Sequence, residues 1–158
     1  MFNFKMSPYL LNMILNDNFG NPDDTMLSTD LYIGLGIDFD EENFKFSKEP
    51  VNEGFTILPT PIAFEDTDNG ILRNVEAIEW QKATTDWTTG SDTINYIGLY
   101  YNLNNQEESG SGAEINNAES TPNYKLVMVL PLAPSETVLT GERMVLNANS
   151  ILIKLANR

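Results

Sequence analysis

The sequence predicts an all-β fold: an antiparallel β-sandwich, jelly-roll-like, of about eight strands, with one short N-terminal α-helix. From residue 30 onward, apolar residues recur at every second position, which is the period of strands. Glycine, asparagine and proline residues separate these runs at intervals typical of turns between antiparallel strands. Only the N-terminal segment has a helical pattern instead.

The helix is predicted over about residues 8 to 18. Ser7 suits the N-cap, Pro8 suits the first helical position, and Gly20 suits the terminator. The apolar stripe of this helix is wider than docking onto one domain requires, so it needs a second cover.

Two surfaces could bury that apolar stripe, and the sequence does not choose between them. The first is the chain's own domain, together with Phe2, Phe4 and Phe19. The second is a neighbouring subunit, because symmetric association is a common way to bury such a surface. For this second case the predicted oligomer and docking interface consists of Tyr9, Leu10, Met13, Ile14 and Phe19.

The strands fall into two classes. Four runs alternate between apolar and other residues and are predicted to have one inner face; they begin at Leu31, Ala77, Arg143 and Ile151. Residues 94–101 and 125–130 are apolar on both sides, so we expect central strands that are covered on each face.

Turn chemistry separates the strands. The predicted turns contain Asn69-Gly70, Thr89-Gly90, Thr140-Gly141 and Asn147-Ala148-Asn149. Pro131 and Pro134 are expected at strand ends or on an edge strand, because proline cannot donate to a central ladder. Gly34 and Gly36 lie inside a predicted strand, where they allow a backbone or a bulky side chain to pack closely.

The chain is predicted to be a single domain, residues 1–158, since its length and its 41% hydrophobic content are ordinary for one globular unit. Within it, residues 1–20 form a helical docking segment and residues 30–158 form the sandwich. Residues 102–123 have no periodicity and contain a Ser-Gly repeat, so they are predicted to be a long flexible surface loop.

Composition excludes several kinds of chemistry. The chain has no Cys and no His, so it has no Ser-His-Asp or Cys-His nucleophile, no thiol redox centre and no zinc site of Cys or His. Its 23 acidic and 9 basic residues give a formal charge of −14, which repels polyanions. We therefore expect no nucleic-acid partner, no membrane partner and no cofactor.

The N-terminal residues do not read as a targeting signal. Residues 1–15 carry only one positive charge, are interrupted by Ser7-Pro8, and lack a small-residue cleavage site. No apolar run reaches the length of a membrane helix. We expect a chain that is not secreted.

Carboxylates are the only plentiful reactive groups, clustered around residues 38–42, 65–68 and 107–108. Nothing in their spacing identifies the pair that a glycosidase requires, and solvated loops explain each cluster. Residues 65–76 weakly resemble a calcium-binding loop, with Gly70 at position six and Glu76 at position twelve. A hairpin turn at Asn69-Gly70 explains the same residues, and calcium binding by an acidic loop stays open.

Aromatic residues offer a second interpretation of the strands. Aromatic side chains in strands either form a platform on which a sugar ring stacks or pack in the core, and core packing is the favoured role. The residues concerned are Trp80, Trp87, Tyr96, Tyr100 and Tyr101.

The order of segments resembles that of the small β-sandwich virion proteins of tailed bacteriophages, often labelled tail-fibre or tail proteins. The matching segments include an Ala-Thr-Thr-Asp-Trp stretch and a strand ending Gly-Leu-Tyr, and they are residues 31–35, 50–55, 71–80, 83–87, 94–100, 138–148 and 151–155. The resemblance covers residues 8–155; the insertion at 102–123 and the acidity depart from it. It implies a non-enzymatic building block present in several copies.

Two functions follow. The first is a structural virion protein of tail, neck or fibre attachment that assembles as a homo-oligomer and docks onto other virion proteins, located in the virion after assembly in the host cytoplasm. The alternative is a carbohydrate or receptor-binding module for a host-surface glycan. Its candidate recognition loop contains Asn104, Asn105, Asn116 and Asn117.

Overall fold

The computed structural model describes residues 5–8, 31–50, 57–58, 64–67, 71–102 and 123–154. These residues contain eleven β-strands. The strands are β1 (Lys5–Met6), β2 (Leu31–Gly36), β3 (Asp38–Asp40), β4 (Lys45–Lys48), β5 (Phe64–Thr67), β6 (Ile71–Asn74), β7 (Ile78–Glu79), β8 (Ile94–Asn102), β9 (Tyr124–Glu136), β10 (Val145–Leu146) and β11 (Leu152–Lys154).

The strands form four sheets in which every neighbouring pair is antiparallel. The largest sheet has the order β1-β9-β8-β2, and the others are β11-β6-β5, β10-β7 and β3-β4. The prediction of an antiparallel all-β protein is confirmed. The prediction that residues 94–101 and 125–130 are central strands is also confirmed, because β8 and β9 lie inside the largest sheet.

The main core lies on one face of the four-stranded sheet. It joins residues of β2, β8 and β9, such as Ile33, Leu99 and Val127, to residues of the smaller sheets, such as Leu146 and Ile153. Each of these five side chains is buried, and alternate residues of a strand point to the same face of the sheet. The alternation predicted for β7, β10 and β11 is confirmed: Ile78, Leu146 and Ile153 are buried, whereas Val145 and Leu152 are exposed.

The prediction that the strand beginning at Leu31 has one inner face is wrong. All six residues of β2 are buried. On its second face Tyr32 joins a separate cluster with Tyr100, Leu126 and Val129. Phe39 and Phe46, from the β3–β4 hairpin, pack against this cluster and cover that face.

Two glycines let the hairpin approach the sheet. A Cβ built on Gly36 would lie 2.5 Å from the Phe46 ring, and one built on Gly98 would lie 2.8 Å from it. Gly36 and Gly98 belong to β2 and β8, which are neighbours in the sheet, so the Phe46 ring rests over both strands. The predicted role of Gly36 in close packing is confirmed, and Gly98 has the same role.

Replacing Gly98 by alanine is expected to lower the free energy of unfolding by about 1–3 kcal/mol, the usual cost of overpacking. The new methyl group would meet Leu126 at 2.8 Å and Tyr100 at 2.9 Å in addition to Phe46. Urea denaturation followed by circular dichroism measures the change. Ser47→Ala, on the exposed side of β4, is the control and is expected to stay within about 0.5 kcal/mol. Equal stability of the Gly98→Ala and Ser47→Ala variants would contradict this packing.

One buried polar side chain joins β6 to the segment before β11. The Asn74 side chain is fully buried. Its Nδ2 donates to the carbonyl oxygens of Glu76 at 2.8 Å and Asn147 at 3.0 Å. Its Oδ1 accepts from the backbone N–H of Ile151 at 2.9 Å. The Asn74 side chain therefore replaces ladder hydrogen bonds at this corner of the fold.

Most predicted turns have the expected backbone. Gly90, Gly141 and Asn149 all have positive φ, which glycine and asparagine adopt readily. The hairpin predicted at Asn69-Gly70 is confirmed in its strands, because Thr67 of β5 pairs with Ile71 of β6.

The prolines of β9 agree with the second of the two predicted placements, an edge of the sheet, and not with the first, a strand end. Pro131 and Pro134 lie within the strand. They follow the positions that pair with β1, which are Met128 and Val129. In the described part of the chain that side of β9 has no ladder partner from Leu130 onward, so no donor is needed there.

Three further predictions concern the number of strands, the N-terminal helix and the long loop. The strand count exceeds the predicted eight because the acidic segment at residues 38–48 forms a hairpin and three strands have only two residues. Apart from Pro8, the predicted helix over residues 8 to 18 lies outside the described residues. The predicted loop at residues 102–123 also lies outside the described residues, except for its two end residues. The first of them, Asn102, pairs with Tyr124.

Candidate functional site

A cleft of about 560 Å³ lies on the outer face of the four-stranded sheet. Tyr100 of β8 and Leu126 of β9 line it from the sheet, and the β3–β4 hairpin lines it from the side. Ser7 borders it as well, held by a hydrogen bond from its backbone N–H to the carbonyl of Val127 at 2.9 Å. The cleft therefore lies over the second cluster of buried side chains and not over the main core.

The turn of the β3–β4 hairpin is built by Asp40. Its carboxylate accepts hydrogen bonds from the backbone N–H of Asn43 at 3.2 Å and from the Asn43 side-chain amide at 2.7 Å. These bonds, that of the side chain most of all, lower the pKa of Asp40. An Asp that bonds the backbone a few residues ahead is a typical turn former.

Phe44 ends this turn with a φ of 47°. Bulky side chains rarely adopt this left-handed conformation, which costs roughly 1–2 kcal/mol. The ring is half-buried against Phe39, with centroids 5.2 Å apart in an edge-to-face arrangement. The turn thus holds an aromatic ring at the border of the cleft, in a place where glycine or asparagine would be less strained.

The hairpin is fixed at its other end as well. Lys48 Nζ and the carboxylate of Asp92 form an ion pair at 2.8 Å. This hydrogen bond raises the pKa of Lys48 and lowers that of Asp92. The side-chain amide of Asn95 donates to the carbonyl of Ile37 at 2.9 Å, which joins β8 to the start of the hairpin. The wall of the cleft is therefore tied to the sheet at several points.

Tyr100 is the most deeply buried titratable residue among the described residues of the lining. The side chain is 6% exposed, and no hydrogen bond joins its hydroxyl to another described residue. Burial, and then the negative charge of Glu49, raise the pKa of Tyr100, so the phenol stays neutral over the whole physiological range. Partial loss of hydration also raises the pKa of Glu49, another residue of the lining.

The remaining lining residues are of mixed polarity. Lys45 and Lys125 bring positive charge and Glu41 and Glu42 bring negative charge. Glu41 is paired with Lys5. The Tyr124 ring lies beside Tyr32, with centroids 5.0 Å apart, and burial raises its pKa. Such a site can hydrogen-bond and stack on a ligand at once.

A second depression of about 270 Å³ lies between the end of β9 and the segments of β10 and β11. We call it the apolar groove. Of the fourteen described residues that line it, only Glu136 is charged. Val145 and Leu152 line it although both are exposed to solvent.

The predicted docking and recognition residues fall outside the part of the chain that the structure describes. The predicted docking residues Tyr9, Leu10, Met13, Ile14 and Phe19 lie outside the described residues, and so do Asn104, Asn105, Asn116 and Asn117 of the predicted recognition loop. At the base of that loop, the backbone N–H of Asn123 donates to Oδ1 of Asn102 at 3.4 Å.

The aromatic residues proposed from the sequence are mainly core, as favoured. Trp80, Trp87 and Tyr101 belong to the main core. Tyr96 is half-buried and stacks on Phe46, with centroids 6.3 Å apart. Tyr100 is also buried, but it alone of the five lines either of the two depressions described above.

The acidic clusters bring no metal site together among the described residues. No group of three or more carboxylates there has a geometry that could hold a metal ion. Asp38 and Asp40 are part of a strand, in contrast to the solvated loop that explained their cluster in the sequence. Glu65 and Asp66 lie in β5, and the turn at 68–70 lies outside the described residues.

The residues missed by sequence reasoning are Phe39, Phe44 and Phe46. They lie in the segment of residues 38–48, which was interpreted from its carboxylates alone. The signal was the spacing of Phe44 and Phe46, two positions apart as on one face of a strand, although Phe44 itself lies in the turn before β4.

The sequence matches no protein-family model, and neither curated proteins nor solved structures contain a significant match to it. Within the part of the chain that the structure describes, no helix has the length and hydropathy needed to cross a membrane.

Proposed function

We propose that this chain is a non-enzymatic structural component of a tailed-phage virion, a tail, neck or fibre-attachment protein. It assembles as a homo-oligomer in the host cytoplasm and docks onto other virion proteins. The resemblance of its segment order to small phage tail proteins supports this role, and so does its antiparallel all-β architecture.

The proposal includes a two-layer sandwich with an N-terminal helix. The main core supports the two layers, because it contains side chains from the four-stranded sheet together with Ile78, Leu146 and Ile153 from the smaller sheets. Sheets that share one apolar core in this way pack face to face.

The apolar groove is the observation that carries the assembly proposal. Copies of a chain with a charge of −14 repel one another over most of their surface. The groove contains one charged residue among the fourteen described residues that line it, and Leu152, at its border, is 55% exposed. A second copy of the chain is the occupant that we propose, since association there removes apolar surface from water without burying many charges.

Sedimentation velocity of the full-length chain tests this proposal. We expect an oligomer at micromolar concentration, and we expect Leu152→Glu to weaken the association at least tenfold, or about 1.4 kcal/mol, because it introduces a charge into an apolar contact. Leu139→Glu is the matched control: Leu139 is 46% exposed but lies outside the groove lining.

A monomeric full-length chain, or equal weakening by both variants, would contradict assembly through the groove. Ile14→Glu in the full chain tests the predicted docking residues in the same way. An oligomer of unchanged mass in this variant would contradict a role of these residues in assembly. Deletion of residues 1–20 is a poorer test, because it also removes β1 from the four-stranded sheet.

A second candidate function is recognition of a host-surface glycan. The observation that favours it is the cleft, in which aromatic rings and hydrogen-bonding groups line one volume. This lining is typical of small-molecule sites.

A further inference from the structure

We propose that the cleft between the β3–β4 hairpin and the β8–β9 strands binds a pyranose unit of an uncharged oligosaccharide. The sugar ring lies against Phe44 and hydrogen-bonds to the Tyr100 hydroxyl. This inference rests on the second candidate function, glycan recognition, and is independent of the assembly proposal.

The Tyr100 hydroxyl is the first step of the argument. The Tyr100 side chain is buried, but its hydroxyl is not a fully buried atom without a partner, since among the described residues only Trp80 Nε1 is one. The hydroxyl therefore reaches solvent, and because Tyr100 lines the cleft, a sugar hydroxyl can replace the water there. Because the pKa of Tyr100 is raised, its hydroxyl is neutral and can both donate to and accept from a sugar hydroxyl.

Phe44 is the second step. Its positive φ is a conformation that a bulky residue tolerates only when surrounding structure imposes it. Here the Asp40–Asn43 bonds close the turn and Phe39 supports the ring. The strained backbone places an apolar ring on the border of a polar cleft, which is the pairing that a pyranose ring requires.

The charges of the lining select the class of sugar. The described lining is close to neutral, because Glu42 and Glu49 stand against Lys45 and Lys125, and Glu41 is paired with Lys5. The acidic chain adds a field that repels anions. The cleft is therefore suited to uncharged hexoses and N-acetylhexosamines and not to sulfated or sialylated ones.

The dimensions are consistent with such a ligand. A volume of about 560 Å³ lies within the range of roughly 300–1,000 Å³ found for small-molecule sites. The cleft also opens to solvent along the exposed residues Glu42 and Asn43. A longer oligosaccharide can therefore continue out of the cleft on that side.

Amide shifts of the ¹⁵N-labelled full-length chain test the proposal, with maltotriose, cellotriose and triacetylchitotriose as probes. We expect at least one probe to shift the amides of residues 41–46, 100 and 124–126, with a Kd of about 1 mM. Tyr100→Phe and Phe44→Gly are each expected to weaken that binding about tenfold. Both variants suit the local backbone, because the first keeps the ring and the second prefers positive φ.

Tyr101→Phe is the matched control. It removes a hydroxyl from the adjacent position of β8, on the side of the main core, and we expect its Kd to be unchanged. An absence of shifts with all three sugars would overturn the inference, as would an unchanged Kd in Tyr100→Phe. Binding to host cells without amide shifts in the cleft would overturn the inference but leave the second candidate function, glycan recognition, in place. If the chain neither binds host cells nor shows shifts in the cleft, both the inference and glycan recognition are contradicted.

Discussion

Replacing Trp87 by alanine is expected to lower the free energy of unfolding by about 3–5 kcal/mol, the largest effect of any single truncation proposed for this protein. Trp87 is 5% exposed and packs in the main core. Its backbone N–H donates to the carbonyl of Val138 at 2.9 Å, which fixes the ring over the core. The loss combines removed apolar area with the cavity that remains.

Urea denaturation followed by circular dichroism measures this effect, because fluorescence would lose one of its two tryptophans. Thr85→Ala, two residues away and exposed, is the control and should change stability by less than about 0.5 kcal/mol. A loss below about 1 kcal/mol for Trp87→Ala would show that the ring is not packed as described. Trp87→Phe, if folded, should leave any sugar affinity unchanged, since Trp87 does not line the cleft.

Asn74→Ala is expected to cost about 2–4 kcal/mol, because each buried group that loses its partner costs roughly 1–3 kcal/mol. The buried N–H of Ile151 loses its acceptor, and the carbonyls of Glu76 and Asn147 lose their donor. Asn74→Asp should be worse at neutral pH, since a carboxylate would face two carbonyl oxygens.

The Asn74→Asp variant also has a characteristic pH dependence. Burial raises the pKa of an unpaired carboxyl above its unfolded value, so the folded state binds more protons. The variant should therefore gain stability relative to the original chain as pH falls through that raised pKa. Asn147→Asp makes the same exchange on the surface and serves as control. Equal stability of the Asn74→Asp and Asn147→Asp variants would contradict the network.

The β-strands of the second half follow from local sequence. At β10 and β11 the alternation separates Leu146 and Ile153, which are buried, from Val145 and Leu152, which are exposed. Strands β8 and β9 are apolar on both sides because both of their faces are covered, one by the main core and the other by the second cluster. The apolar pattern of a strand indicates whether one or both of its faces are covered, and for this reason β8 to β11 could be predicted from the sequence.

The β3–β4 hairpin was not predictable in the same way. Its role depends on Phe46 meeting Gly36 and Gly98, and Gly98 lies more than fifty positions away in the sequence. A glycine in a strand indicates that something packs closely, but it does not identify the partner. The two-sided burial of β2 was missed for the same reason, because the cover on its second face comes from this hairpin.

The candidate sites were the least predictable part. The cleft forms where Phe44, Tyr100 and Glu49 converge from separate segments, and no linear motif links them. Asn74 was considered only as part of a weak calcium-loop pattern. Its actual role depends on the carbonyl of Asn147 and the N–H of Ile151, which lies 77 residues away.

The pairing pattern has a consequence for how the protein is made. Three of the four sheets require β9, β10 or β11, all of which come after residue 123. While the chain emerges from the ribosome, the strand pairs available before residue 123 are the hairpins β3–β4 and β5–β6 and the long-range pair β2–β8. Isolated two-stranded hairpins are marginally stable at best in water, so the sheets are completed only once β9, β10 and β11 have left the ribosome.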